Sequence, residues 1–308
     1  MKQKRIAAKQ TLKTDDAVSN VVVMMLILSV IVIAFSVFVG IYLPQMKETS
    51  EMIHSEDVKS AFLKFSSDMD SVYSRGQAGT YSEVFSLGGG DILLSSSKSA
   101  GTVEIENEDL TTVNISYQNK TLLYSNGTRG DTTAGESSET INLTTVKISY
   151  TPVLPYWEEQ GYQYEKGVVW VQKDNGIKTP VSSVLYSIED GNNQMNKTAD
   201  SWLQMMKPRY LTENKTFTVT NDGYNVTGIS EKTQYIYTMT LVNISADKNH
   251  NFLSGSGNAK LKIAAELPSE ITEYELSGTK LEINGNTVSL NEGSLLRVTK
   301  IEAKVSVE

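Results

Sequence analysis

The chain has no cysteine and only two histidines, His54 and His250, in 308 residues. That excludes a disulfide framework, a thiolate metal site and a cysteine nucleophile. It also leaves too few imidazoles for a multi-histidine zinc site or a histidine relay. Basic charge is scarce: 28 Lys and Arg stand against 36 Asp and Glu, a net charge of −8. A nucleic-acid binder needs a basic footprint, so that partner class is excluded. Catalytic motifs are missing too. No Gly-x-Ser-x-Gly elbow occurs, and Gly88-Gly89-Gly90-Asp91 lacks the Gly-Lys-Ser/Thr ending of a phosphate loop, which makes it a turn. Glu158-Glu159 follow Trp157, but adjacent carboxylates on one chain seldom face one glycosidic bond. Asp247-Lys248-Asn249-His250-Asn251 offers oxygen ligands without the spacing of a calcium loop. The chain therefore reads as a non-enzyme with no cofactor and no metal site.

The most informative scarcity is local. No charged residue occurs from Ala17 to Met46, and residues 21–43 are almost wholly apolar. At about 1.5 Å per residue, such a helix is roughly 35 Å long, enough to cross a bilayer. Its many Val and Ile would favour a strand in water, but in lipid each backbone group must be satisfied within the segment, so a helix is expected. The run is about twice the length of a secretory signal core. Before it stand Lys2, Lys4, Arg5, Lys9 and Lys13, with Asp15 and Asp16 behind them. Short basic segments stay on the cytoplasmic side, which predicts an inside N-terminus and an outside head. Ser29, Ser36 and Gly40, spaced seven and four apart, form a small-residue stripe where another helix can approach closely.

Asp16-Ala17-Val18-Ser19-Asn20-Val21-Val22, leading into the apolar run from Met24 to Ile33, resembles the N-terminal segment of archaeal type IV pilins and pilin-like proteins. The resemblance covers about 30 residues. It implies a basic leader (1–16), cleavage near Asp16 and Ala17 by a membrane-embedded prepilin peptidase, and a helix (17–46) that first anchors the chain and then joins other pilin-like subunits in a helical bundle. Asn20 and Val23 replace the Pro and Gly more usual there, which sets the chain apart from major pilins. The size of the head also favours a minor subunit.

Beyond Pro44, which is expected to kink or end the helix, Ile53, Val58, Phe62, Phe65, Met69 and Val72 recur at helical spacings among polar residues. This predicts an amphipathic stalk helix over 47–76. His54 lies on it and is expected to be exposed and without a role. Residues 77–308 read as a β-rich head of one or two modules. Alternation of apolar and polar residues marks strands at 111–118, 141–150, 215–220, 235–245, 260–264 and 297–307. Asn126-Gly127, Asn175-Gly176, Asp222-Gly223 and Asn284-Gly285 mark turns. Residues 127–138 and 247–258 read as polar loops, and 199–207 as a short helix. Residues 162–170 resemble a strand–turn–strand stretch in heads of haloarchaeal and methanogen pilin-like proteins of unassigned function. The fold expected is mainly β with a long N-terminal α-helix, the helix being followed by an antiparallel β-sandwich-type head.

Eight Asn-x-Ser/Thr sequons, at Asn114, Asn119, Asn126, Asn142, Asn196, Asn214, Asn225 and Asn243, all fall in the head. They are candidates for N-glycosylation on an outer surface. Removing residues 1–16 takes away five of the 28 basic and two of the 36 acidic residues and leaves a net charge of −11. An acidic surface of that kind stays soluble outside the cell. The function expected is structural, a minor subunit of a pilus-like filament at the cell membrane. Two other readings stay open. One is an anchored binding module that never polymerises. The other is an ectoenzyme or carbohydrate-binding head, with a groove for surface glycans lined by Trp157, Trp170 and Trp202.

Overall fold

The computed structural model describes residues 12–75, 78–89, 98–124, 128–154, 156–157, 160–173, 176–182, 209–221, 224–266, 268, 270–283, 286–290 and 294–308, the residues 12–19, 73–75, 182, 209–221, 224–234 and 286 by backbone alone. The described residues begin in a single helical column. α1 (Leu12–Val37) passes through one π-helical stretch (Phe38–Tyr42) into α2 (Leu43–Arg75). Pro44 neither ends the column nor stands in regular α-helix on both sides. Its ring would clash with the carbonyl of Gly40 in an ideal α-helix and its nitrogen cannot donate. The π turn just before it takes up the misfit, with the Leu43 N–H donating to the Phe38 carbonyl.

Fourteen strands follow among the described residues. β1 (Gly79–Ser86) leads to a long hairpin of β2 (Ala100–Tyr124) and β3 (Arg129–Val153). Next come β4 (Gln160–Glu165), β5 (Val168–Lys173) and β6 (Lys178–Ser182). β7 (Arg209–Asn221) and β8 (Tyr224–Ala246) form a second long hairpin. The remainder are β9 (Phe252–Gly255), β10 (Asn258–Glu266), β11 (Glu270–Leu276), β12 (Lys280–Ile283), β13 (Asn286–Ser289) and β14 (Leu295–Val307). The architecture is the expected one, mainly β after a long N-terminal helix, with the strands in one curled sheet.

Its order is β1-β10-β14-β11-β2-β3-β4-β5-β6. β10 and β11 lie end to end along one edge of β14, parted at 267–269, where Pro268 cannot donate to a ladder. β8 lies on the other edge of β14 and runs parallel to it, from Leu295↔Ile236 to Val305↔Ala246. The sheet then curls until β8 comes back to β3. Asn243 Oδ1 accepts from the Thr144 N–H (2.8 Å) and the Thr144 hydroxyl (2.9 Å), and Asn107 Oδ1 accepts from the Ala246 N–H (2.7 Å). Side chains thus do at this seam what a backbone ladder does elsewhere.

Of the predicted turn residues, Asn126, Gly127, Asn175, Asp222, Gly223, Asn284 and Gly285 lie outside the described residues. The strands that flank two of those dipeptides are antiparallel partners, Asn221 pairing with Tyr224 and Ile283 with Asn286. Lys166 and Gly167 join β4 to β5 with φ values of 45° and 84°. That strand–turn–strand coincides with the stretch expected at 162–170. One predicted loop is corrected. Residues 129–138 are strand, paired with β2 from Leu123↔Arg129 to Tyr117↔Ser137. They are exposed on both faces, so no apolar position marks the period of two. Residues 247–258 are turn apart from the short β9 and the first residue of β10. The short helix expected at 199–207 lies outside the described residues.

Among the described residues, two apolar clusters fill the head. In one, Val58, Phe62, Phe65, Met69 and Val72 of α2 pack against residues such as Phe85, Ile148 and Ile263. The other holds Val113, Ile115, Tyr274, Leu281 and Leu296, with no contribution from the helix. β2, β3, β8 and β14 run through both clusters.

Candidate functional site: a bare apolar helix and its polar collar

From Val21 to Tyr42 the side chains stand exposed, with Met24 at 72% and Ile33 at 63%. None of the most apolar window is covered by the rest of the protein, and its mean hydropathy is 3.1. Soluble monomers rarely expose contiguous apolar patches of more than roughly a few hundred Å². A helix this long and apolar is able to cross a membrane. Ser29 and Ser36 donate their hydroxyls to the carbonyls of Met25 and Val32, both at 2.7 Å. Their polarity is absorbed within the helix, leaving a small side chain outward. Gly40 lies in the π turn with open space where a Cβ would stand. Asp16 and Ala17 lie within α1, with their side chains outside the described set.

Cover begins at Leu43, which is 7% exposed. The head-facing stripe of α2 then continues through Lys47, Glu51, His54 and Ser55, all buried, before the apolar run from Val58. The same helical face is polar below and apolar above. Ile53, expected on it, points to solvent at 56% exposure. His54, expected in solvent, is buried instead. These residues form a collar where the helix enters the head.

The Glu51 carboxylate organises one side of the collar. It accepts from the Ser99 hydroxyl (2.9 Å) and from the backbone N–H groups of Tyr156 (3.0 Å) and Trp157 (2.8 Å). The Lys47 ammonium lies 5.4 Å from the Tyr156 ring centroid. On the other side, His54 Nε2 is 3.0 Å from the Tyr150 hydroxyl, which donates to the Leu87 carbonyl at 2.8 Å. Ser55 and Tyr162 share a hydroxyl–hydroxyl bond of 2.9 Å. Burial raises the Tyr150 and Tyr162 phenols above their ordinary value, so both remain neutral donors. Gly89 lies against the His54 side chain so closely that any Cβ there would collide with it. The polar stripe at four- and three-residue spacings, 47-51-54-55, is present in the sequence as a signal. Apolar periodicity alone does not reveal it.

His54 titrates inside the head, beyond the apolar segment. Burial pulls its pKa below 6.5, and the Leu87 carbonyl, Asp57 and Glu51 only partly oppose that. Its contribution to stability is therefore whole above the unfolded value near 6.5. It is lost as pH falls through that value towards the lower folded one, because the unfolded chain binds the proton first. Asp70 works the other way. Burial pushes its carboxyl up to about 6, so its contribution is present below 3.8 and lost as pH rises through about 6. The difference between wild type and His54→Gln isolates the histidine. Wild-type stability is expected to fall more steeply on acidification below about pH 6.5 than that of His54→Gln. Parallel pH profiles in thermal unfolding would refute the assignment.

The other candidate residues scatter. Asn142 is exposed on the outer face of β3. Asn119 donates to Glu275 (2.7 Å), and Asn243 Nδ2 donates to Glu302 (2.8 Å) while its oxygen holds the seam. Asn114 is half-buried, with a buried amide oxygen that has no partner among the described residues. Asn214 and Asn225 are on the β7–β8 hairpin, and their side chains, like Asn126 and Asn196, fall outside the described set. Trp157 is at the collar and Trp170 in β5, whereas Trp202, Glu158 and Glu159 lie outside the described residues. Asp247 accepts from the Asn249 N–H (3.1 Å) within a turn. Among the described residues no three metal-ligating side chains converge.

No protein-family model, no curated protein and no solved structure matches this chain.

Proposed function

We propose that the chain is a structural cell-surface protein, a minor subunit of an archaeal type IV pilus-like filament. It is made with a basic leader, held by residues 17–46 as a single-pass anchor, and carries its head outside. Prepilin peptidase removes residues 1–16 near Asp16 and Ala17, and the freed helix leaves the bilayer for a bundle of like helices. The observation that supports this reading is the single helical column, bare up to Tyr42 and built into the head from Leu43 onward. A bilayer and a helix bundle both cover such a surface, and water does not. The internally bonded Ser29 and Ser36 and the open Gly40 let another helix approach without stranding a polar group.

Mass spectrometry of native protein tests the reading, on sheared surface material and on membranes. A chain starting near Ala17 in the sheared fraction is expected. A chain with its leader intact, found in membranes alone, would overturn the filament subunit and leave an anchored, non-polymerising module. The same digest reports on sequons. Glycan mass is expected at Asn142, whose side chain is free to solvent, and not at Asn243, whose amide is bonded at both ends.

A further inference from the structure

The collar places one corner of the head at the level where the apolar helix emerges. Glu51 fixes the backbone of Tyr156 and Trp157 by two N–H bonds, and the Tyr156 ring reaches back to the Lys47 ammonium. Lys47 is four residues past Leu43, about 6 Å along a helix axis, and Glu51 eight residues past it, about 12 Å. The polar layer of a bilayer is roughly 5–8 Å deep on each side of the hydrocarbon. Lys47 thus stands within that layer's depth and Glu51 just beyond it, and the Tyr156–Trp157 corner is tied to both. Tyr156 is 42% exposed, and Tyr42 below it is 57% exposed. Tyr and Trp are the side chains that favour this depth, with an apolar body and a polar edge.

We propose that the Tyr156–Trp157 corner is a second membrane contact that seats the head on the lipid headgroup layer. This rests on the reading of the helix as a membrane anchor. The occupant is the bilayer that holds the chain's own helix, because the corner is tied to the first covered turns beyond the apolar run. Seated in this way, the head cannot swivel freely about its helix. It must lift off when the helix is withdrawn.

Depth-resolved fluorescence quenching tests the seat on the full chain, reconstituted in phosphatidylcholine vesicles. One variant keeps Trp157 alone (W170F, W202F). A second keeps Trp170 alone (W157F, W202F) and gives the baseline for the head. A third replaces all three tryptophans with Phe and carries Phe35→Trp in the helix. Lipids brominated near the glycerol are expected to quench Trp157 more than lipids brominated near the chain ends. The reverse order is expected for the Phe35→Trp variant, and no loss for Trp170. If the tryptophan at 35 is quenched and Trp157 behaves as Trp170 does, the seat is wrong and the anchor stands. If neither is quenched, the anchor reading fails and the seat with it.

Discussion

Replacing Phe62 with alanine is expected to destabilise the head by about 3–5 kcal/mol, as for other large aromatic truncations in a packed core. Phe62 is wholly buried, and its ring lies 6.0 Å from Phe85 and 6.3 Å from Tyr162, centroid to centroid. Phe85 belongs to β1 and Tyr162 to β4, so the ring joins the helix to two separate parts of the sheet. Little can collapse into the space, because Phe65 and Met69 on the next turns are buried against the same cluster. The control is Ile53→Ala on the same helix. Ile53 is exposed, and such changes alter stability by about 0.5 kcal/mol or less. Thermal unfolding of the solubilised chain measures both. Equal shifts would mean that the helix presents a different face to the head.

Glu51→Gln is expected to cost about 1–2 kcal/mol, a large loss for a change of one atom. The carboxylate now accepts three hydrogen bonds, from Ser99, Tyr156 and Trp157. A carboxamide has one oxygen to offer. Kept on the two backbone N–H groups, that oxygen has lost its charge, and the Ser99 hydroxyl must turn round to accept from the NH₂. Glu48→Gln, three residues away and exposed, is the companion measurement, with an effect of about 0.5 kcal/mol or less. If the two variants unfold at the same temperature, Glu51 does not hold the collar.

The helix was legible in the sequence because residues 17–46 carry no charge, and an apolar run of that length is long enough to span a bilayer. Six of the fourteen described strands were legible in part, in β2, β3, β7, β8, β10 and β14, because apolar positions alternate where one face is buried, as at Val113, Ile115 and Tyr117. Where burial stops, the signal stops. Residues 129–138 are held in a strand by their partner β2 alone, and read locally as a polar loop. The collar was hidden for a related reason. Lys47, Glu51, His54 and Ser55 sit on the buried stripe, where Glu51, His54 and Ser55 are held by hydrogen bonds to Ser99, Tyr150 and Tyr162. Those partners are about 50 to 110 residues away in the chain, beyond any local pattern. The parallel pairing of β8 with β14 depends likewise on a connection of some fifty residues. No turn dipeptide encodes it.

The position of β14 has a consequence for biogenesis. It is the latest of the described strands in chain order, yet it lies inside the sheet, between β8 on one edge and β10 and β11 on the other. Before residues 295–307 have emerged, β8 has no neighbour on that edge, and the β1–β10 pair is not joined to the rest. The helix meanwhile is synthesised first and its hydrophobic face waits for a sheet that does not yet exist. Assembly is therefore gated by the far end of the head, with long-range pairings that form slowly. A nascent chain would expose Phe62, Phe65 and Met69 until then. These are the surfaces a chaperone would have to shield.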